Sequence, residues 1–347
     1  MSITTIPRPM KPWVYSAKES IQGLIAAIAA ILVTAVIIGV TPLKGKLGFV
    51  FILIVVGTIF SASFSWVRRD RKAAWNSVST MMIYISGFLV IIPLVSIFYE
   101  IVRRGIAGLS WSIFTTDMAV TATDSPLYEG GLLHAIVGTL YIVLLAGLFS
   151  LPIGILTALY LTEINGKAAG TIRFFVQAMS GIPSIVSGLF IFAVWMIALG
   201  NEYSAFAGAL SLAILMIPTV ARTSEEVLKL IPNDLREAGL AMGGTHWLTV
   251  RMIILPAAQS GLITAAILGV ARVAGETAPL LLTMGGADAL NLNPFAGNSS
   301  AIPFYVWKNF ALGTENAVAR AWTGVLVLMI IVLFFFSLTR FLSNRKG

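Results

Sequence analysis

The sequence predicts an all-α polytopic membrane protein with about eight transmembrane helices. Its 347 residues are 58% hydrophobic and 11% charged, whereas a soluble domain is about 45–50% apolar and about a quarter charged. Mean hydropathy is +0.92. The apolar residues also fall into runs of about 20, the length a helix needs to cross ~30 Å of hydrocarbon.

The runs, in order, are roughly 21–41, 47–67, 78–99, 134–161, 174–199, 204–221, 257–284 and 321–342. The first is too long for a secretory h-region and is expected to stay as an anchor. A tight turn from Thr41-Pro42 to Lys46 joins it to the second as a helical hairpin. The third follows the basic cluster Arg68-Arg69-Asp70-Arg71-Lys72. The sixth is short and bounded by Pro218. Residues 1–74 thus form an N-terminal segment with two membrane helices and a basic linker, and 75–347 the main domain. Lysine and arginine collect in cytoplasmic loops. With both termini inside, sixteen of them lie in inner segments and six in outer ones, Lys44 and Lys46 among the six. The outer segments 100–133 and 285–320 are long, rich in Gly, Ser, Thr, Asn and Pro, and expected to meet something outside.

There is no cysteine, which excludes disulfides, thiolate catalysis and Cys-ligated metal. Two histidines, His134 and His246, are too few for a histidine-rich metal site. No metal ligand set and no catalytic residue is therefore assigned. The net charge of +8 is assigned to inner loops and membrane lipid, not to nucleic acid.

The polar stretch 222–256 between the sixth and seventh runs carries the most specific pattern: Glu237-Ala238-Gly239, three residues, Gly243, nine residues, then Ile253-x-Leu255-Pro256. A short helix over Ser224–Ile231 is expected to end at Pro232. Asn233 or Asp234 is expected to cap an amphipathic helix over Leu235–Met242. Gly243-Gly244 should break it cheaply, and Thr245 should cap a further helix running to Pro256. Arg236 and Glu237 are expected exposed at the tip.

Two charges lie inside the seventh run. Arg272 and Glu276 stand at i and i+4, where they would share a face and pair. Ionised groups at bilayer depth cost several kcal/mol unless paired or hydrated, which makes both candidates for a substrate path. Pro279 should kink the helix. Arg222, just after Pro218, could add a second guanidinium to the same cavity; two of them suit a divalent oxyanion. In the fifth run, Ser180-Gly181-Ile182-Pro183-Ser184-Ile185-Val186-Ser187-Gly188 weakens the helix at mid-membrane, and Pro183 and Ser184 are a candidate gate. Small residues there also serve close helix packing.

The 237–256 pattern resembles the loop E-A-A-x3-G-x9-I-x-L-P by which permease subunits of ABC importers dock on their ATPase, with Gly239 for the usual alanine. With AIVGTL (135–140), LPIGILTALYLTE (151–163), SGIPSIVSGL (180–189) and ARVAGETAPLL (271–281), about residues 75 to 345 resemble phosphate importer permeases of the PstA type. The resemblance implies a type I ABC importer permease fold, a six-helix core to which the N-terminal hairpin is an addition. It implies partners: an ABC ATPase dimer, a second permease of the PstC type and an external phosphate-binding protein. It implies that ATP and Mg sit on the ATPase and no cofactor on this chain, which has no phosphate loop of its own. By position, Arg222, Arg272 and Glu276 would line the phosphate path, and Glu237, Ala238, Gly239 and Gly243 would make the ATPase contact. The expected location is a prokaryotic plasma membrane. An ABC permease for sulfate, molybdate or a sugar remains an alternative. So do an ion-driven transporter and an embedded enzyme using Glu276 with His134.

Overall fold

The computed structural model describes residues 17–41, 45–68 and 70–344, so Arg69 of the basic cluster and most of the turn after Thr41 lie outside the described residues. The chain forms two compact units, Met1–Phe98 and Tyr99–Gly347.

In the first unit α1 (Ala17–Val40) and α2 (Lys46–Arg68) pack as the expected hairpin. Its small core is Ala30, Ile52 and Val56. A hydroxyl in hydrocarbon needs a partner within reach. Thr34 Oγ1 donates to the Ala30 carbonyl at 2.7 Å and Thr58 Oγ1 to that of Ile54 at 2.7 Å, the one-turn back-bond open to threonine. The next helix, α3 (Arg71–Gly105), starts where the Asp70 carboxylate accepts from the Ala73 amide at 2.7 Å, as an N-cap should.

The second unit continues with the short α4 (Ser112–Thr115) and then α5 (Leu133–Leu159), which ends in a π-helical turn, Tyr160–Ile164. Next come α6 (Ala169–Ser180) and α7 (Ser184–Ile191), bent by 102° at their break. A π-helical stretch, Phe192–Ala198, extends α7. Helix α8 (Ala205–Lys229) is central: Leu212, Met216 and Val220 are fully buried against Ile142 and Ala146 of α5 and against Val273. Glycine allows these approaches. A Cβ on Gly154 of α5 would stand 2.8 Å from Val220 Cβ, the small-residue contact that draws membrane helices together. The chain goes on through α9 (Asn233–Ala241), α10 (His246–Thr249), α11 (Leu255–Ala274), α12 (Ala278–Thr283), α13 (Ile302–Leu312) and α14 (Glu315–Asn344).

Six described helices are long and apolar enough to span a membrane, and a seventh span results if bent α6–α7 counts as one. The first expected run is helical, but its described apolar stretch, Ala27–Val40, is shorter. The sixth run does not stop near Pro218. Proline forfeits one backbone bond, and α8 continues to Lys229, so the separate helix expected at Ser224–Ile231 is the end of α8. Nor does Pro256 end a helix. The backbone widens into a π-helical stretch at Val250–Ile254 just before it, and His246–Ala274 forms one span.

The two long loop segments brace each other. Asp117 accepts from the amides of Leu290 at 2.9 Å and Ala119 at 3.1 Å, and the Met118 amide donates to the Asp288 carbonyl at 3.0 Å. These N–H groups, Leu290 foremost, hold the Asp117 carboxyl below the ordinary carboxylate range. Buried Arg320, in the second turn of α14, donates to the carbonyls of Thr123, Ser125, Pro126 and Glu129 at 2.8–3.3 Å.

Candidate functional site

The 232–256 segment folds as a helix, a glycine turn and a second helix. Thr245 caps the second helix as expected, its hydroxyl accepting from the Leu248 amide at 3.3 Å. Gly243 takes φ +81° in the turn, a conformation glycine reaches without strain. Asn233 and Asp234 do not cap α9. The residue before the helix is Pro232, and the Asn233 side chain instead accepts from Arg236 Nη1 at 3.2 Å. Glu237 and Ala238 are exposed, as is Gly243, but Gly239 is buried. It faces the second helix so closely that a Cβ would stand 2.5 Å from Thr249 Cγ2 and 2.9 Å from Ile253 Cδ1. The departure from alanine at this position thus matches the packing of this chain.

Arg236 is not at an exposed tip. Its guanidinium grips Glu163 in the turn that ends α5, with Nη2 to Oε1 at 2.8 Å and Nε to Oε2 at 3.1 Å. It also donates to the carbonyls of Ile231 at 2.7 Å and Leu228 at 3.0 Å, where α8 ends. The Glu163 side chain is only 3% exposed, and its carboxylate raises the Arg236 guanidinium further above its ordinary value. One side chain therefore ties α9 to α5 and α8. Near it, Glu225 of α8 is buried and paired with Arg173 of α6 at 3.0 Å and with Lys229 at 3.0 Å. Sequence reasoning assigned no role to Glu163, Glu225 or Arg173. The only local signal was an acid or base placed at the margin of an apolar run.

The expected Arg272–Glu276 pair does not form. Helix α11 ends at Ala274, and Glu276 lies in the turn between α11 and α12, so the i,i+4 geometry is lost. Pro279 marks the first turn of α12; the helix is broken rather than kinked. Arg272 instead donates from Nη1 to Thr219 Oγ1 on α8 at 3.2 Å. Thr219 and Arg222 are three residues apart and share a face of α8. Arg272 thus points to the turn of α8 that carries Arg222, and both arginines are exposed. Among the described residues neither has a carboxylate partner. Two such guanidinium groups on adjoining helices can take up a doubly charged oxyanion through charge-assisted bonds.

Pro183 and Ser184 stand at the α6–α7 break. Pro183 is the extended residue before α7, with φ −57° and ψ 137°. Buried Gly188 of α7 lies against the backbone of Pro279, where a Cβ would be 2.6 Å from Pro279 Cα. The half-helix following one break is thus packed on the half-helix following the other. His134 sits buried at the start of α5, edge-on to Tyr305 with ring centroids 5.8 Å apart, and among the described residues neither ring nitrogen has a hydrogen-bond partner.

Residues 150–347 match the family described as binding-protein-dependent transport system inner membrane component. Over 263 residues the chain is 36% identical to phosphate transport system permease protein PstA 1 of Mycobacterium tuberculosis, spanning 76% of this chain and 86% of the relative. It is 35% identical over 291 residues to phosphate transport system permease protein PstA of Haemophilus influenzae, spanning 81% of this chain and 98% of the relative. A solved structure of the MetNI methionine ABC transporter, in an inward-facing conformation, superposes with a TM-score of 0.52 at 24% identity. It covers 62% of this chain and 96% of the other, which supports the type I importer permease fold. The chain belongs to the binding-protein-dependent transport system inner membrane component family, and within it to the phosphate permeases of the PstA type.

Proposed function

We propose that this chain is a transmembrane subunit of an ATP-driven phosphate importer, with Arg222, Arg272 and Glu276 along the phosphate path and α9 docking on an ATPase. The observation that carries the reading is the fixed connection from α9 to α8 through Arg236, with the Arg272–Thr219 contact further along α8. The relatives, which are named as phosphate permeases, support the substrate.

The mechanism follows from these connections. An ATPase dimer, which carries the ATP and Mg, closes against exposed Glu237, Ala238 and Gly243. A flexible loop would absorb that displacement. Here α9 passes it through Arg236 to the end of α8 and through Glu163 to α5. Helix α8 carries Thr219 and Arg222 with it, so the arginine pair opens or closes as α8 moves against α11. Two guanidinium groups without carboxylate partners attract the anion. Glu276, in the adjacent break, keeps it from being held too tightly. Pro183, Ser184 and Gly188 of the bent element, packed on α12, gate the path. The α9 face and both termini are cytoplasmic. An external phosphate-binding protein meets the braced loops, and a second permease completes the channel.

The test is uptake into vesicles holding this chain with its ATPase and sister permease, supplied with the binding protein. ATP-dependent entry of radiolabelled phosphate, unaffected by excess sulfate or molybdate, is expected. Inhibition by those anions would transfer the reading to another oxyanion. Uptake that persists without the ATPase would replace it with ion-driven transport.

A further inference from the structure

We propose that the N-terminal unit holds one anionic glycerophospholipid, its acyl chain between α1, α2 and α3 and its headgroup at Arg71 and Lys72. A cavity of about 490 Å³ opens among these helices, lined by Ala27, Ile31, Gly57, Phe60, Ile85 and Phe88 and their neighbours. That size lies within the ~300–1,000 Å³ typical of ligand sites. Among the described residues a Cβ added to Gly57 would meet nothing within 4 Å, so the helix wall is open there. The lining is almost entirely hydrocarbon, which suits an acyl chain and not a polar solute.

The end of the unit where α2 meets α3 has different chemistry. Where α2 ends and α3 begins, a second cavity of about 400 Å³ is lined by Trp66, Trp75 and Arg71. Tryptophan collects at the level of lipid headgroups, and basic residues beside a membrane helix attract anionic lipid. Asp70, the adjoining acid, is engaged in capping α3. Among the described residues Arg71 and Lys72 make no ion pair, and both are exposed. The Ser65 and Ser77 hydroxyls hydrogen-bond between α2 and α3, so the groove is held together before anything binds. From Lys72 to Ile85 the helix rises about 20 Å. That is more than one leaflet of a core ~30 Å thick, enough to receive a chain whose headgroup stays at the basic end. The unpaired positive charge at Arg71 and Lys72 selects an anionic headgroup over a zwitterionic one.

The test is native mass spectrometry of the full chain released from micelles containing equal amounts of phosphatidylglycerol and phosphatidylcholine. One phosphatidylglycerol should be retained, at least tenfold in preference to phosphatidylcholine. Arg71→Gln with Lys72→Gln, both exposed and harmless to the fold, should abolish the preference. Gly57→Leu should lower retention of either lipid about tenfold, while Gly57→Ala should not. Equal retention of the two lipids by the unaltered chain would overturn the proposal. So would an unchanged preference in the Arg71/Lys72 variant, or loss of a bound protein chain instead of lipid in Gly57→Leu.

Discussion

Arg236 and Glu163 are joined across 73 residues of sequence by a two-pronged ion pair whose acid is almost wholly buried. The guanidinium also closes the carbonyl end of α8, so it serves three helices at once. Removing one member of a buried pair strands the other charge and costs about 3–5 kcal/mol. Arg236→Ala should therefore lower the unfolding free energy by about 3 kcal/mol in a denaturation series, and phosphate uptake should fall below detection while ATP hydrolysis continues. Arg236→Lys keeps the charge but lacks the fork. It should recover part of the stability and little of the uptake. Uptake coupled normally in Arg236→Ala would remove α9 from the force path.

The Arg272–Thr219 contact predicts a graded series in transport kinetics. Arg272→Ala removes a charge-assisted contact worth about 1.5–3 kcal/mol, so uptake kcat/KM should fall roughly 10- to 100-fold. Thr219→Val leaves the charge but frees the side chain. KM should rise roughly 3- to 10-fold at nearly constant kcat, and Thr219→Ser should restore it. A Thr219→Val effect confined to kcat would mean the contact orders helix movement and not the anion.

Gly239 predicts a rescue. Alanine there would press its Cβ on Thr249 Cγ2, 2.5 Å away. Overpacking of this kind costs about 1–3 kcal/mol, and Gly239→Ala should weaken ATPase binding along with stability. Thr249→Ser removes the offending methyl while retaining the hydroxyl bond to the Thr245 carbonyl. Combined with Gly239→Ala it should recover at least half the loss, a coupling visible in a double-mutant cycle. Simple additivity would refute the packing account.

Asp117 gives the loop brace a pH dependence. Its folded-state pKa lies below the ordinary 3.8, set chiefly by the Leu290 amide. A depressed carboxylate contributes stability that is present above the unfolded value and lost as pH falls through the folded one. The melting temperature should be flat above about pH 5 and drop below pH 4. Asp117→Asn should be less stable by about 1 kcal/mol at neutral pH and show a smaller acid drop. An identical acid profile in the variant would assign that drop to other carboxylates.

The helices and the glycine turn were legible because they rest on local chemistry: apolar runs of spanning length, Thr245 as a cap, Gly243 at positive φ. The errors arose where distant partners decide. The exception is Asn233, which fails to cap because the helix already begins at it, with Pro232 in the cap position. Arg272 and Glu276 fail to pair because α11 stops two residues before Glu276, and a threonine 53 residues away offers the better contact. Pro218 and Pro256 look like stops, yet one missing bond is absorbed by a packed helix and by a widened turn. Nothing adjacent to Glu163 in sequence announces its partner.

Arg320 holds its loop entirely through main-chain oxygens, those of Thr123, Ser125, Pro126 and Glu129. Every amino acid supplies that oxygen. The side chains of 123–129 can therefore be exchanged for others while the path of the chain stays fixed. Shape and chemical identity are separately adjustable on this face, so its surface chemistry can drift or be redesigned without rebuilding the support beneath it.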